Sequence, residues 1–128
     1  MSGREMALGS ELAKETLLLL ESAGWCKGNA VREKGNPTRL GVIPVPDARS
    51  GRCEFCLWGA IKQAGYEIGL GHQEKWAAEK ALAQSLTGTH EILNVIAWND
   101  NRDTTWEDVR ERLLAAIDGL TEADEEQE

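Results

Sequence analysis

Apolar residues in this chain recur at the spacing of a helix, stretch after stretch, and segments able to pair as strands are scarce. The clearest case is 105–120, where Trp106, Val109, Leu113, Ala116, Ile117 and Leu120 fall on one stripe. Thr105 precedes it as an N-cap, and Asp108 can reach back to complete a capping box. Leu12, Thr16, Leu19, Leu20 and Ala23 form a second stripe, capped by Ser10 and stopped by Gly24. A third runs through Cys53, Cys56, Leu57, Ala60, Ile61 and Ala64 and stops at Gly65. A fourth helix over 73–86 turns Ala78, Ala81, Leu82, Ser85 and Leu86 inward before Thr87 and Gly88. The stretch HEILNVIAW, 90–98, is apolar nearly all round and suits a buried strand or a buried helix. The shortage of strand partners favours the helix.

Between the second and third stripes lies 25–52, which holds all three prolines and several glycines. Long irregular segments in a small domain often carry function or move. GVIPV, 41–45, could add a short edge strand, although Pro44 counts against it. The expectation is an all-α bundle of about five helices with one long irregular loop. Residues 10–120 form the domain, after a flexible 1–9 and before a disordered acidic 121–128. Five of the seven aromatics are tryptophans (Trp25, Trp58, Trp76, Trp98, Trp106), so the indoles are expected to organise the core.

The formal charge of −8 is largely a property of the C-terminal end: five acidic residues lie in 121–128, which leaves −3 for the rest. Eight residues cannot present a duplex-like charge array, so a solvated end is favoured over an acidic arm or a nucleic-acid mimic. No basic stripe with interleaved aromatics is visible along the chain, which argues against a nucleic-acid partner. No apolar run approaches a membrane span, and MSGREMALGS has no secretory apolar region. Three cysteines, an odd number, fit free thiols in a reducing cytoplasm.

Three chemistries can be drawn on these residues. Cys53-x2-Cys56 is half of a structural zinc spacing, with Cys26 and either His72 or His90 to fill the remaining positions. No second paired knuckle exists, and the pair lies on a stripe that should face the core. Cys56 near a helix start could instead be a nucleophile, with His90 as base and Asn99 or Asp100 as the orienting group. Exposed histidines would remove that reading. A calcium loop starting at Asn99 fails, because Thr104 stands where glycine is needed and Arg110 where a bidentate acid is needed. Asn99 and Asp100 read better as turn residues leading to the Thr105 cap.

GWCKG at 24–28, CLWGA at 56–60, IAWND at 96–100 and TWEDV at 105–109, in that order, resemble an uncharacterised family of small actinobacterial and actinophage proteins. The resemblance spans about 10–118 and implies no activity, because that family is a domain of unknown function. It marks Trp25, Cys26, Cys56, Gly59, Ala60, Trp98, Asn99 and Asp100, and leaves out Cys53 and His90. Cys26 and Cys56 become a candidate neighbouring pair. Gly59 and Ala60 suggest a place where another segment comes close. The expected function is therefore a cytoplasmic module of phage or mobile-element origin. It would bind another protein through Trp25, Cys26, Trp98, Asn99 and Asp100, without catalysis or cofactor. Cys53 and Cys56 are both expected to be core residues, Cys56 the more deeply buried.

Overall fold

The computed structural model describes residues 3–127. In chain order it contains α1 (Gly3–Ala23), β1 (Val31–Glu33), β2 (Asn36–Leu40), a 3-10 turn (Ala48–Ser50), β3 (Cys53–Phe55), α2 (Leu57–Glu67), α3 (His72–Thr87), α4 (Ile92–Asp100) and α5 (Trp106–Gln127). The fold is mostly helical, as the apolar spacing predicts. α1 is its axis and packs against α5, α3 and α2. Leu12, Leu19 and Leu20 of α1 are buried with Ile61 of α2, Leu82 and Leu86 of α3, Val95 of α4, and Val109 and Leu113 of α5. The capping box of α5 is in place: Thr105 N–H donates to the Asp108 carboxylate at 2.9 Å, and Asp108 N–H donates to Thr105 Oγ1 at 3.2 Å.

Several expectations are corrected. Segment 25–52 is not one irregular loop, because it builds most of a small antiparallel sheet of order β2-β1-β3. Lys34 and Gly35, the latter at φ 80°, turn β1 into β2, so that Glu33 sits opposite Asn36. The second strand is Asn36–Leu40 and not GVIPV. The third, β3, replaces the expected first turn of the helix over 53–64. Cys53 therefore lies on a strand opposite Glu33, and Phe55 lies opposite Val31. The physical reason is Phe55: in the strand it is fully buried, whereas a helix carrying the 53–64 stripe inward would have turned this large ring away from the core.

α1 starts at Gly3 and so runs through what was expected to be a flexible end. Ser10 is no cap: it is buried in the helix, 2.7 Å from Thr121 Oγ1. Gly9 explains the close crossing there, since a Cβ on it would lie 3.1 Å from Ala81 Cβ and 3.3 Å from Leu120 Cδ1. α5 likewise continues past residue 120, through Gln127. Ser85, expected inward, is exposed. The 90–98 stretch is a helix but lies at the edge of the core, with Val95 and Asn99 buried and Leu93 73 % exposed. Tryptophans do not fill the core. Among the described residues Phe55 alone of the aromatics is fully buried, while Trp25, Trp58, Trp98 and Trp106 pack half-buried at its rim.

Candidate functional site

Three of the four motifs singled out in the sequence, GWCKG, CLWGA and IAWND, meet at one point, around Asn99. The C-terminal turn of α4 delivers this residue, which is 0 % exposed. Its side-chain oxygen accepts from Trp25 Nε1 at 2.6 Å and from the Leu57 N–H at 2.9 Å. Its amide nitrogen donates to the Cys26 carbonyl at 3.2 Å and to the Asp100 carboxylate at 2.9 Å. Two lone pairs and two N–H groups are all used, the full capacity of an asparagine side chain. Leu57 is the first residue of α2, so Asn99 satisfies one of the free N–H groups of that helix from another helix.

The 24–30 segment is tied down on either side of this residue. Gly28 N–H donates to Asp100 at 2.8 Å, and Lys27 Nζ donates to the Asn101 carbonyl at 2.6 Å. Cys26 N–H donates to the Phe55 carbonyl at 2.9 Å, and Cys56 N–H donates to the Ala30 carbonyl at 3.2 Å. The expected close approach at Gly59 is present, and its visitor is Ala30. A Cβ on Gly59 would lie 1.8 Å from the Ala30 carbonyl oxygen.

Trp25 pairs with Phe55 in a parallel bridge, which brings Cys26 alongside Cys56, and both thiols are buried. Burial pushes the Cys26 thiol up to about 12, against the pull of Arg32, with the Cys56 thiol among the groups adding to the rise. Cys56 is the N-cap of α2, and its sulfur accepts from the Gly59 N–H at 3.3 Å. This position favours a thiolate, yet burial outweighs it and the Cys56 thiol is also raised. At neutral pH both are protonated, buried and packed, which is the wrong state for a nucleophile. His90, the candidate base, is exposed in the turn before α4, and Asn99 is fully engaged elsewhere. The zinc set is also dispersed: Cys53 is half-buried on β3, His72 and His90 are exposed, and among the described residues no three His, Cys, Asp or Glu side chains gather as ligands.

Residues 7–119 match the model of a family of unknown function, DUF6197. The chain belongs to that family. No curated protein and no solved structure matches it. In this DUF6197 chain the motif residues Trp25, Cys26, Cys56, Gly59 and Asn99 thus form an internal clasp between the 24–30 segment, α2 and α4. Of the five residues expected to bind a partner, Cys26 and Asn99 are buried, Trp25 and Trp98 half-buried and Asp100 exposed. No helix among the described residues is long and apolar enough to cross a membrane.

A second region was missed in the sequence. On the outer side of α2 and α3, Trp76 is 58 % and Tyr66 47 % exposed. Lysines of this chain lie over the rings: Lys75 Nζ 3.3 Å from the Tyr66 ring centre, Lys80 Nζ 3.9 Å from Trp76, and Lys62 Nζ 5.3 Å from Trp58. Lysines and aromatic rings therefore alternate on this face, with Glu74 and Glu79 among them. A shallow depression of about 500 Å3 lies beside Trp76, lined by Glu5, His72, Gln73 and Ala77. His72 and Trp76 also line a neighbouring cavity of about 140 Å3, with Lys62, Tyr66, Lys75 and Glu79. The signal was readable as Trp58-x3-Lys62-x3-Tyr66 and Trp76-x3-Lys80, aromatic and lysine one turn apart on one helix face.

Proposed function

We propose that this chain acts without catalysis, by binding a protein partner through the α2–α3 face. The observation that carries the reading is Trp76, the most exposed of the five indoles, which lines two neighbouring depressions. An indole left half in water beside an apolar hollow is the usual anchor of a binding surface, and such anchors supply most of the energy of an interface. The other four tryptophans pack against the core, whereas the one ring contact of Trp76 among the described residues is with Lys80. Three free cysteines fit a reducing cytoplasm, and phage or mobile-element origin rests on the sequence resemblance.

The test is selection of peptides from a displayed random library on the immobilised chain, followed by rebinding to Trp76→Ala. Peptides that bind the parent protein should lose at least tenfold in affinity on Trp76→Ala, the cost of removing one strong anchor. Selected peptides that bind both proteins equally would show that this face is not the contact surface.

A further inference from the structure

We propose that the partner segment taken by this face is acidic, and that one of its carboxylates enters the cavity between Tyr66 and Trp76 to meet Lys75. The inference rests on the reading above and adds the chemistry of the ligand. Lys75 is only 8 % exposed, with its stem packed against Gly65. The stem is buried while the ammonium keeps an edge to water, and a cation this shielded favours an opposite charge beside it. Among the described residues Lys75 has no carboxylate partner, and its ammonium faces a ring, at 3.3 Å. A ring face satisfies one side of an ammonium and leaves donors over. Those donors belong to a group that lines the 140 Å3 cavity, a space large enough for a carboxylate.

The acids nearby are already engaged. Glu79, which lines the same cavity, binds Lys62 at 3.2 Å. Glu74 binds Arg4 at 2.5 Å, and Glu67 binds Arg49 at 3.1 Å. Lys80, over Trp76, has no carboxylate partner among the described residues, and His72 borders both depressions. Lys75 and Lys80 are thus the cations of this face without a paired carboxylate among the described residues, beside Glu5, Glu74 and Glu79, on a chain whose net charge is −8. At physiological salt, charges more than about 8 Å away are largely screened, so the local cations decide which ligand is taken. The neighbouring 500 Å3 depression beside Trp76 suits an apolar side chain next to the carboxylate. Single-stranded nucleic acid fits less well. Its bases bind by stacking on open aromatic faces, and here the chain's own lysines lie over Tyr66 and Trp76.

The experiment titrates the full chain with synthetic octapeptides that carry one Leu flanked by Glu, by Gln or by Lys, and with an oligothymidylate of eight nucleotides. The Trp76 indole N–H resonance is the readout. The Glu peptide should move it and bind at least tenfold more tightly than the Gln peptide. On Lys75→Met, which keeps the stem and removes the charge, that preference should disappear while the Gln peptide binds as before. The parent-protein comparison of Glu with Gln stands even if Lys75→Met does not fold. Equal or tighter binding of the Gln or Lys peptide at Trp76 would overturn the acidic ligand and leave the docking face intact. Silence of the Trp76 resonance with every peptide would overturn the docking face itself. Tighter binding of the oligothymidylate than of the Glu peptide would overturn the class of partner.

Discussion

The clasp around Asn99 and the aromatic face of α2–α3 both use tryptophan, lysine and a polar helix surface, yet they differ in what is left unsatisfied. In the clasp every donor and acceptor of Asn99 is used, and Trp25 spends its indole N–H on that residue. On the aromatic face Trp76 and Tyr66 are open to water, and Lys75 has donors to spare. Saturated polar clusters fix a fold, whereas unsaturated ones beside apolar hollows are available to something else. The motif residues Trp25, Cys26, Cys56, Gly59 and Asn99 hold 24–30 against α2 and α4, while Trp98 is half-buried and Asp100 exposed.

If that contrast is right, damage to the clasp should be paid in stability. The largest effect is expected for Gly59→Ala. Its Cβ would sit 1.8 Å from the Ala30 carbonyl oxygen, which also accepts from the Cys56 N–H, so backbone has to move. We expect a loss of about 4 kcal/mol or more, or no folded protein, by urea unfolding. Asn99→Ala should follow at about 3 kcal/mol, since it strands the buried Leu57 N–H and the Cys26 carbonyl and releases the Trp25 indole. Trp25→Phe, which removes one donor and leaves Asn99 its other partners, should cost less than Asn99→Ala. A cost below about 1 kcal/mol for Asn99→Ala would place the clasp among ordinary surface contacts.

What could be read in the sequence follows the range of the forces involved. The Thr105–Asp108 box and the stripes of α1, α3 and α5 are local and were legible. The sheet was not, because Val31–Glu33 is too short to show alternation and gains its stability by pairing with Cys53–Phe55, far along the chain. Cys53 and Cys56 imitated helical spacing across a boundary, a strand residue followed by an N-cap. Phe55 off that stripe was the contrary signal. Ser10 looked like a cap because it is a short hydroxyl residue just ahead of the Leu12 stripe, yet it lies inside α1, where Gly9 is small for a helix crossing. Of the site, the meeting of 24–30 with α2 was legible in Gly59. The role of Asn99 needed the fold, since its four partners come from three separate segments.

The thiols give a smaller, pH-dependent measure of the clasp. Below the ordinary thiol value of 9.0 the folded and unfolded chains both keep the Cys26 proton, and pH has no leverage through it. Above 9.0 the unfolded chain releases that proton while the folded chain holds it until about 12, so rising pH favours unfolding. Stability should fall across this window by up to about 1.4 kcal/mol per pH unit, and Cys56, shifted the same way, adds to it. Cys26→Ala should start less stable and show a shallower fall between pH 8 and 10.5. In native protein a thiol reagent should label the half-buried Cys53 ahead of Cys26 and Cys56. Rapid native labelling of Cys56 would return it to consideration as a reactive group.

The smallest stability effect should come from the residue with the largest effect on binding. Trp76 is more than half exposed, and its one specific contact among the described residues is with Lys80, a residue on the same helix. A cation–π pair at an exposed site contributes about 0.5–1 kcal/mol, and surface substitutions away from buried features usually fall within about 0.5 kcal/mol. Alanine also has the higher helix propensity, which offsets part of the lost contact. Trp76→Ala should therefore unfold within about 0.5 kcal/mol of the parent chain in urea, with the same denaturant slope. A loss of 2 kcal/mol or more would mean that Trp76 supports the α1–α3 packing. The aromatic face would then be a structural rim like the one made by Trp98 and Trp106, and the contrast with the clasp would collapse.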